Sequence, residues 1–472
     1  MADANVARAA EEAVARLGDY ESLWFDGSWF RSGELHERAA RLAVGLHARG
    51  VQPGDRVVVQ MPNCPEVGIA YQAIWRAGAV VTPALFLLPS EELEHIAADS
   101  AASLVLTAPE ECVELEQYGA GQIVPRHASD PAALLYTGGT TGRSKGVLLS
   151  HENLWFAGKS GHDSGHMPGL VRGLNALPLA HSYGLLVTVV GLHAVEQSQA
   201  VLMRWFDPAL FLQLAQEHRT QITAVVPSML QLLLAQPLED YELSELRYVV
   251  SGGAPLPRDV ADEVLRRLPH VELREGYGLT ETAALVSSTP PGESRLGSVG
   301  KPAPGVEVRI AGDDEVGEIC VRSRSVMLGY WQEPGLTAET IEDGWLYTGD
   351  LGYLDDDGYL YVVDRKKDLI IRGGFNVFPR DVEDALLEHP AVAAAGVVGR
   401  PDGVHGEEVV AFIELRPGQE LEPAELITWS KEHIGGYKYP REVHVVRSLP
   451  LTPVGKVDRK ALRTKVLEEA PA

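Results

Sequence analysis

Cysteine is scarce: Cys64, Cys112 and Cys320 stand far apart in 472 residues, and no two have CxxC spacing. Neither a disulfide framework nor a cysteine-ligated zinc cluster can be built from that set, and a reducing cytoplasm is the expected compartment. Positive charge is also short, with 41 Lys and Arg against 66 Asp and Glu, a balance of −25. Such an excess repels polyphosphate backbones and anionic lipid, so nucleic acid and membrane are not expected partners. Long apolar runs are missing. The most apolar internal stretch, Gly184 to Val195, is interrupted by Thr188 and His193 and falls short of the roughly 20 residues of a membrane helix. Glu11, Glu12 and Arg16 sit where a signal peptide would be apolar, and that segment reads as an amphipathic helix. Solenoid repeats and low-complexity tracts are lacking too. What remains is ordinary globular composition, 45% hydrophobic and 23% charged, which excludes bulk disorder.

Through the first three quarters, short apolar runs alternate with helix-period segments. RVVVQMP, SLVLT, AALLYT, ITAVVP and LRYVVSGG each read as a buried strand followed by a helix, a rhythm that predicts parallel sheets. Near Gly292 the texture changes to strands and tight turns, with Asp357-Gly358 as a hairpin turn in YLDDDGYLYVVD. After Asp364 a polar run, Arg365-Lys366-Lys367-Asp368, precedes a strand and a helix from about Pro379 with Val382, Leu386 and Leu387 on one face. Two strands, a helix around Leu426 and a last strand, VHVVRSL, follow. The expected fold class is α/β. It comprises a large N-terminal domain, 1–364, of mixed and largely parallel sheets with a small β-barrel part, a hinge at 365–368, and a small α+β C-terminal lid, 369–472.

The sharpest chemical signal is AALLYTGGTTGRSKGVLLSH, Ala132 to His151, with four glycines, three threonines and one lysine after a buried strand. Glycines admit backbone N–H groups to phosphate oxygens, hydroxyls add donors, and Lys145 supplies charge. It is not a Walker A loop, because Lys145 is followed by Gly146 instead of Ser or Thr. His162 and His166 have i,i+4 spacing, but Gly165 weakens a helix there and no third ligand is evident, so no metal site is read from them.

Tyr136 to Gly146 closely resembles the phosphate loop of the adenylate-forming superfamily, the AMP-dependent synthetases and ligases. Five further segments follow in family order: SGGAPL (Ser251 to Leu256), GYGLTET (Gly276 to Thr282), YTGDLG (Tyr347 to Gly352), DRKKDLIIRGG (Asp364 to Gly374) and LTPVGKVDRKAL (Leu451 to Leu462). The resemblance covers nearly the whole chain, and within the superfamily the chain resembles 4-coumarate- and fatty-acid-CoA ligases.

It implies ATP and coenzyme A as co-substrates and Mg²⁺ as cofactor. Thr137, Gly138, Gly139, Thr140, Thr141, Gly142 and Lys145 would hold the phosphates. Tyr277, beside Gly278, would stack on adenine, while Gly252, Gly253 and Ala254 leave room for the base edge. Asp350 would accept bonds from the ribose hydroxyls with Arg365 assisting, Thr280 would bond a phosphate oxygen, and Glu281 would be the magnesium ligand. Lys456, in a loop stiffened by Pro453, matches the lysine aimed at the α-phosphorus during adenylation. His181 matches the residue beside the substrate carboxylate. Ala180, His181, Tyr183, Ser228, Gly276 and Ala283 would line the acyl pocket, Lys367 the hinge, and Gly373 and Gly374 a passage for pantetheine.

The implied reaction has two steps: a carboxylate attacks the α-phosphorus of Mg·ATP and releases pyrophosphate, then a thiol displaces AMP from the acyl-adenylate. In the family the lid turns about the hinge between the two steps. The implied partners are a small carboxylic acid, ATP and CoA; a carrier-protein pantetheine is the alternative acceptor, an inactive nucleotide-binding regulator the alternative class, and a homodimer an open state. Relatives that activate amino acids carry aspartate at the position of Ser182, so a non-amino acid is expected. The small Ala180, Ala283 and Ala284 suit a bulky aryl or alicyclic acid, with fatty acids as the other class. Gly138 stands where the family has Ser or Thr and Ser144 where it has Pro, which predicts a looser grip on the phosphates.

Overall fold

The computed structural model describes residues 4–137, 144–312, 315–451 and 457–469, with side chains to 467. Contacts divide the chain into two units: Met1–Val308 with Val321–Tyr347 and Asp355–Leu360, and Arg309–Cys320 with Thr348–Leu354 and Tyr361–Ala472.

The first unit holds two large sheets. One has nine strands in the order Lys301–Pro302, Ser287–Ser288, Glu272–Tyr277, Tyr248–Gly252, Ile222–Val225, Arg172–Asn175, Gln199–Leu202, Glu21–Phe25 and Ser28–Arg31. The six from Glu272–Tyr277 to Glu21–Phe25 are parallel, as the apolar runs predict. Parallel neighbours need crossovers, and the helices Pro208–Glu217, Pro227–Leu234 and Arg258–Arg267 supply them. Their apolar stripes (Phe211, Leu214, Met229, Leu233, Val260, Val264) bury against Leu174, Val201, Val225, Val249 and Leu273 of the strands.

The other sheet runs Gly329–Tyr330, Lys145–Ser150, Pro131–Thr137, Val80–Pro83, Arg56–Val59 and Leu104–Leu106. Here the expected strand-helix rhythm breaks once. The chain after the glycine-rich loop returns antiparallel, pairing Thr137 with Lys145 and Leu134 with Leu148, because the connection is too short for a parallel crossover of about a dozen residues. Only then does helix His151–Gly165 begin, capped by the Ser150 side chain, which accepts from Asn153 N.

Where a small β-barrel is expected, Glu307–Ala311, Gly317–Arg322, Trp345–Leu354, Ile341–Glu342 and Leu360–Arg365 form a five-stranded sheet. The C-terminal residues form another, in which Val392–Asp402 pairs antiparallel with Gly406–Leu415 and Glu442–Val446 adds parallel to it. Helix Pro379–Leu387 covers one face through Val382 and Leu386. Helix Arg459–Glu469, which the sequence pattern did not reveal, covers the other through Leu462 and Val466 against Val398, Val410 and Phe412. Among the described residues no helix is long and apolar enough to cross a membrane.

Candidate functional site

In the nine-stranded sheet, Arg172–Asn175, Ile222–Val225, Tyr248–Gly252 and Glu272–Tyr277 are adjacent and parallel, with Ala224 opposite Asn175, Val225 opposite Ser251 and Gly252 opposite Gly276. Their carboxyl ends therefore share one edge, where open α/β sheets take ligands. Most of the residues singled out in this unit follow these ends: Ala180 and His181 after the first, Ser228 after the second, Gly252, Gly253 and Ala254 at the third, Gly276, Tyr277 and Gly278 at the fourth.

The segment leading to His181 is held from behind. Asn63 Nδ2 donates to the carbonyls of Leu177 (2.9 Å) and Met203 (3.1 Å), its Oδ1 accepts from Leu179 N at 2.9 Å, and Tyr71 Oη donates to Leu179 O at 3.3 Å. His181 caps helix Ser182–Gly191, its Nδ1 accepting from Tyr183 N at 3.2 Å, so that nitrogen carries no proton in this arrangement. Gly184 is obligatory, since a Cβ there would lie 2.0 Å from Pro178 O. Tyr183 donates to Val250 O at 3.4 Å, and burial pushes its phenol above the ordinary value. A Cβ on Gly252 would stand 3.3 Å from the Tyr183 ring, whereas one on Gly276 would meet only Ser287 O at 3.4 Å. Thr280 Oγ1 donates to the buried Ser182 Oγ at 3.3 Å, which brings the Thr280 turn to the start of the His181 helix.

That turn is tight. Thr280–Thr282 is one turn of 3-10 helix, and Ala283 and Ala284 follow with φ of 50° and 68°, a left-handed conformation that costs a non-glycine residue about 1–2 kcal/mol. Gly278 permits it, because a Cβ there would lie 2.1 Å from Ala284 O. Glu281 Oε1 accepts from Tyr330 Oη at 2.9 Å, and among the described residues no hydrogen bond engages Oε2. A single carboxylate flanked by the Thr280 hydroxyl, with no carboxylate or histidine cluster around it among the described residues, fits Mg²⁺, which takes one or two carboxylates and completes its shell with phosphates and water.

On the six-stranded sheet, Thr137 and Lys145 end facing strands, with Thr137 Oγ1 donating to Lys145 O at 3.4 Å. Gly138, Gly139, Thr140, Thr141 and Gly142 lie outside the described residues. Tyr136 Oη donates to Asp99 Oδ2 at 2.6 Å, and Ser144 Oγ to the Glu92 carboxylate. Lys145 Nζ lies 5.9 Å from the centre of the Tyr330 ring.

In the second unit, Asp350 lies within strand Trp345–Leu354, buried, with Arg365 Nε 3.2 Å from Oδ1. Gly373 and Gly374, with φ of 58° and 83°, are the two-residue turn between Ile370–Arg372 and Phe375–Val377, and that hairpin geometry alone requires glycine. Lys367 is flanked by buried Asp364 and Asp368, whose carboxylates face Arg459 Nη1 at 3.7 and 3.5 Å. Lys456 lies outside the described residues. Asp402, His405 and Glu408 come together, but Glu408 is already held twice by Arg372. The His162 and His166 rings stack at 4.8 Å and belong to no such group among the described residues.

Sequence reasoning missed Tyr330, Asn63 and Tyr71. Each acts from a distant stretch of chain, and nothing in its local pattern marks it.

The family described as AMP-binding enzyme matches residues 10–331, and the AMP-binding enzyme C-terminal domain matches 381–456. A feruloyl-CoA synthase of Amycolatopsis sp is 36% identical over 467 residues, spanning 93% of this chain and 94% of that one. A long-chain-fatty-acid–CoA ligase of Bacillus subtilis (strain 168) is 32% identical over 537, spanning 97% and 93%. The crystal structure of ATP-bound MatB from Rhodopseudomonas palustris superposes with a TM-score of 0.90 at 31% identity, covering 98% of this chain and 99% of that one.

Proposed function

The chain belongs to the AMP-binding enzyme family and is an AMP-forming acyl-CoA ligase, and from that premise we propose that its acid is a bulky, non-amino carboxylic acid of aryl or alicyclic type. The observation that carries this is the cluster of small residues at the shared strand edge. Gly252 and Gly276 face each other, Tyr183 lies against the first, and the small Ala180 and Ala283 follow strands of the same edge. Small residues at these positions would leave room for a ring, which a larger side chain at Gly276 would reduce. Ser182 offers a hydroxyl already bonded to Thr280, so an α-ammonium would find no counter-charge there. The feruloyl-CoA synthase likeness supports an aryl acid.

Catalysis divides into two displacements. A carboxylate oxygen attacks the α-phosphorus and pyrophosphate leaves; a CoA sulfur then attacks the acyl carbon, AMP leaves with that carboxylate oxygen, and the thiol proton passes to solvent. Thr280, with Thr137 and Lys145, would hold the polyphosphate, and Glu281 would hold Mg²⁺, which when bound would supply neutralising charge at the phosphates. Tyr277 with Gly252, Gly253 and Ala254 receives adenine, and Asp350 with Arg365 the ribose. Lys456 supplies the charge that stabilises the phosphorane-like transition state. Residues 1–364 and 369–472 act as the two domains about a hinge at 365–368 centred on Lys367, and Gly373 and Gly374 belong to the thioester step. The cytoplasm, where ATP and CoA are supplied, is the proposed compartment.

The test incubates the protein with Mg·ATP, CoA and a pool of straight-chain, aryl and alicyclic acids, followed by mass spectrometry and kcat/KM on each acid consumed. Aryl- or alicyclic-CoA with AMP is expected. A higher kcat/KM for acetate than for every cyclic acid contradicts the pocket reading, and acyl-adenylate without thioester moves the acceptor to a carrier pantetheine.

A further inference from the structure

The hydroxyl of Tyr330 donates to Glu281 Oε1 at 2.9 Å, and Lys145 Nζ lies 5.9 Å from the centre of its ring. The segment that carries it is pinned on both sides. Met327 N donates to the Glu281 carbonyl at 2.9 Å, while Leu328 N and Trp331 N donate to Leu148 O (2.9 Å) and Gly146 O (2.7 Å) of the strand leaving the glycine-rich loop. Tyr330 N is held by Thr337 Oγ1 at 2.9 Å. Residues 327–331 thus join the turn bearing Glu281 to the strand bearing Lys145.

A glutamate that binds an ion together with substrate phosphates must be held in one rotamer. Carboxylates that ligate metals are themselves hydrogen-bonded, and loss of such a partner weakens metal affinity by roughly 10- to 100-fold. We propose that Tyr330 is a positioning residue for adenylation: its hydroxyl fixes the Glu281 carboxylate so that Oε2 meets the divalent cation carried by the nucleotide, and couples that carboxylate to the strand of Lys145. This rests on the reading of Glu281 as the metal ligand.

The test is a Mn²⁺ titration by electron paramagnetic resonance of the full chain with α,β-methylene-ATP, which cannot release pyrophosphate. Tyr330→Phe keeps the ring under Lys145 and should raise the Kd of Mn²⁺ in the ternary complex about 10-fold or more. Metal-free affinity for the analogue should stay within about twofold and Tm close to wild type. Glu281→Gln should weaken Mn²⁺ at least as much. Thr337→Val removes a bond to the Tyr330 backbone but keeps the hydroxyl, and should weaken Mn²⁺ far less than Tyr330→Phe. Equal weakening by Thr337→Val would make the effect one of packing and overturn the proposal. An unchanged Kd in Tyr330→Phe beside a weakened Glu281→Gln would overturn the role of Tyr330 alone, and no change in either would overturn the metal reading of Glu281 with it.

Discussion

Ala283 and Ala284 occupy left-handed backbone next to Thr280 and Glu281, and such outliers cluster where a site over-determines its geometry. Glycine takes that conformation without the Cβ penalty. Ala284→Gly, normally a loss, should therefore leave stability unchanged or raise it by up to about 1 kcal/mol, read by urea unfolding; a loss of 1 kcal/mol or more would contradict the strain. Lys456→Ala should slow adenylate formation by about 10²- to 10³-fold while sparing thioester formation from supplied acyl-adenylate. Single-turnover assays of the two steps check this, and equal loss of both would refute the division of labour.

At the scale of the element, Arg459 at the start of the last helix reaches three carboxylates: Glu383 at 2.7 Å, Asp368 at 3.5 Å and Asp364 at 3.7 Å. Burial raises the carboxyls of Glu383 and Asp364 despite this partner. Arg459→Met removes the one cation that, among the described residues, all three share, and should cost about 3–5 kcal/mol. The cost should shrink from pH 8 to pH 5 as the raised carboxyls take up protons; denaturant melts at the two pH values measure it, and a cost independent of pH would contradict the burial of these charges. This cluster also marks where the sequence stops being legible. Asp364 to Asp368 reads as a polar, hinge-like run, and only the fold reveals that its two aspartates are buried against an arginine about ninety residues on. Strands announced by apolar runs, such as Arg56–Val59 and Tyr248–Gly252, lie where the pattern puts them, because burial on both faces leaves a local imprint. The pairing of Tyr330 with Glu281 leaves none, since its two partners are distant in the chain.

For the molecule as a whole, one half-buried histidine sets an acid limit. His193 packs edge-on against Trp155 at 5.3 Å, and among the described residues its buried Nε2 has no hydrogen-bond partner. Burial, with the nearby His162 and Lys159 adding to it, lowers its pKa from 6.5 to about 4. Above pH 6.5 neither folded nor unfolded chain protonates this ring. Between 6.5 and 4 only the unfolded chain does, so stability falls as pH falls through that window, by about 1–2 kcal/mol after allowing for partial exposure. His193→Phe, which cannot titrate, should gain that much on wild type between pH 7.5 and pH 5; a constant difference would contradict the assignment.

The acid passes through an acyl-adenylate on its way to CoA and leaves one of its own carboxylate oxygens on AMP. The direct measurement supplies an aryl acid labelled with ¹⁸O in its carboxylate, with Mg·ATP and CoA, and weighs the products. Acyl-CoA in equal amount to AMP is expected, each AMP carrying one labelled oxygen on its phosphate. Unlabelled AMP, or ADP in its place, would contradict it.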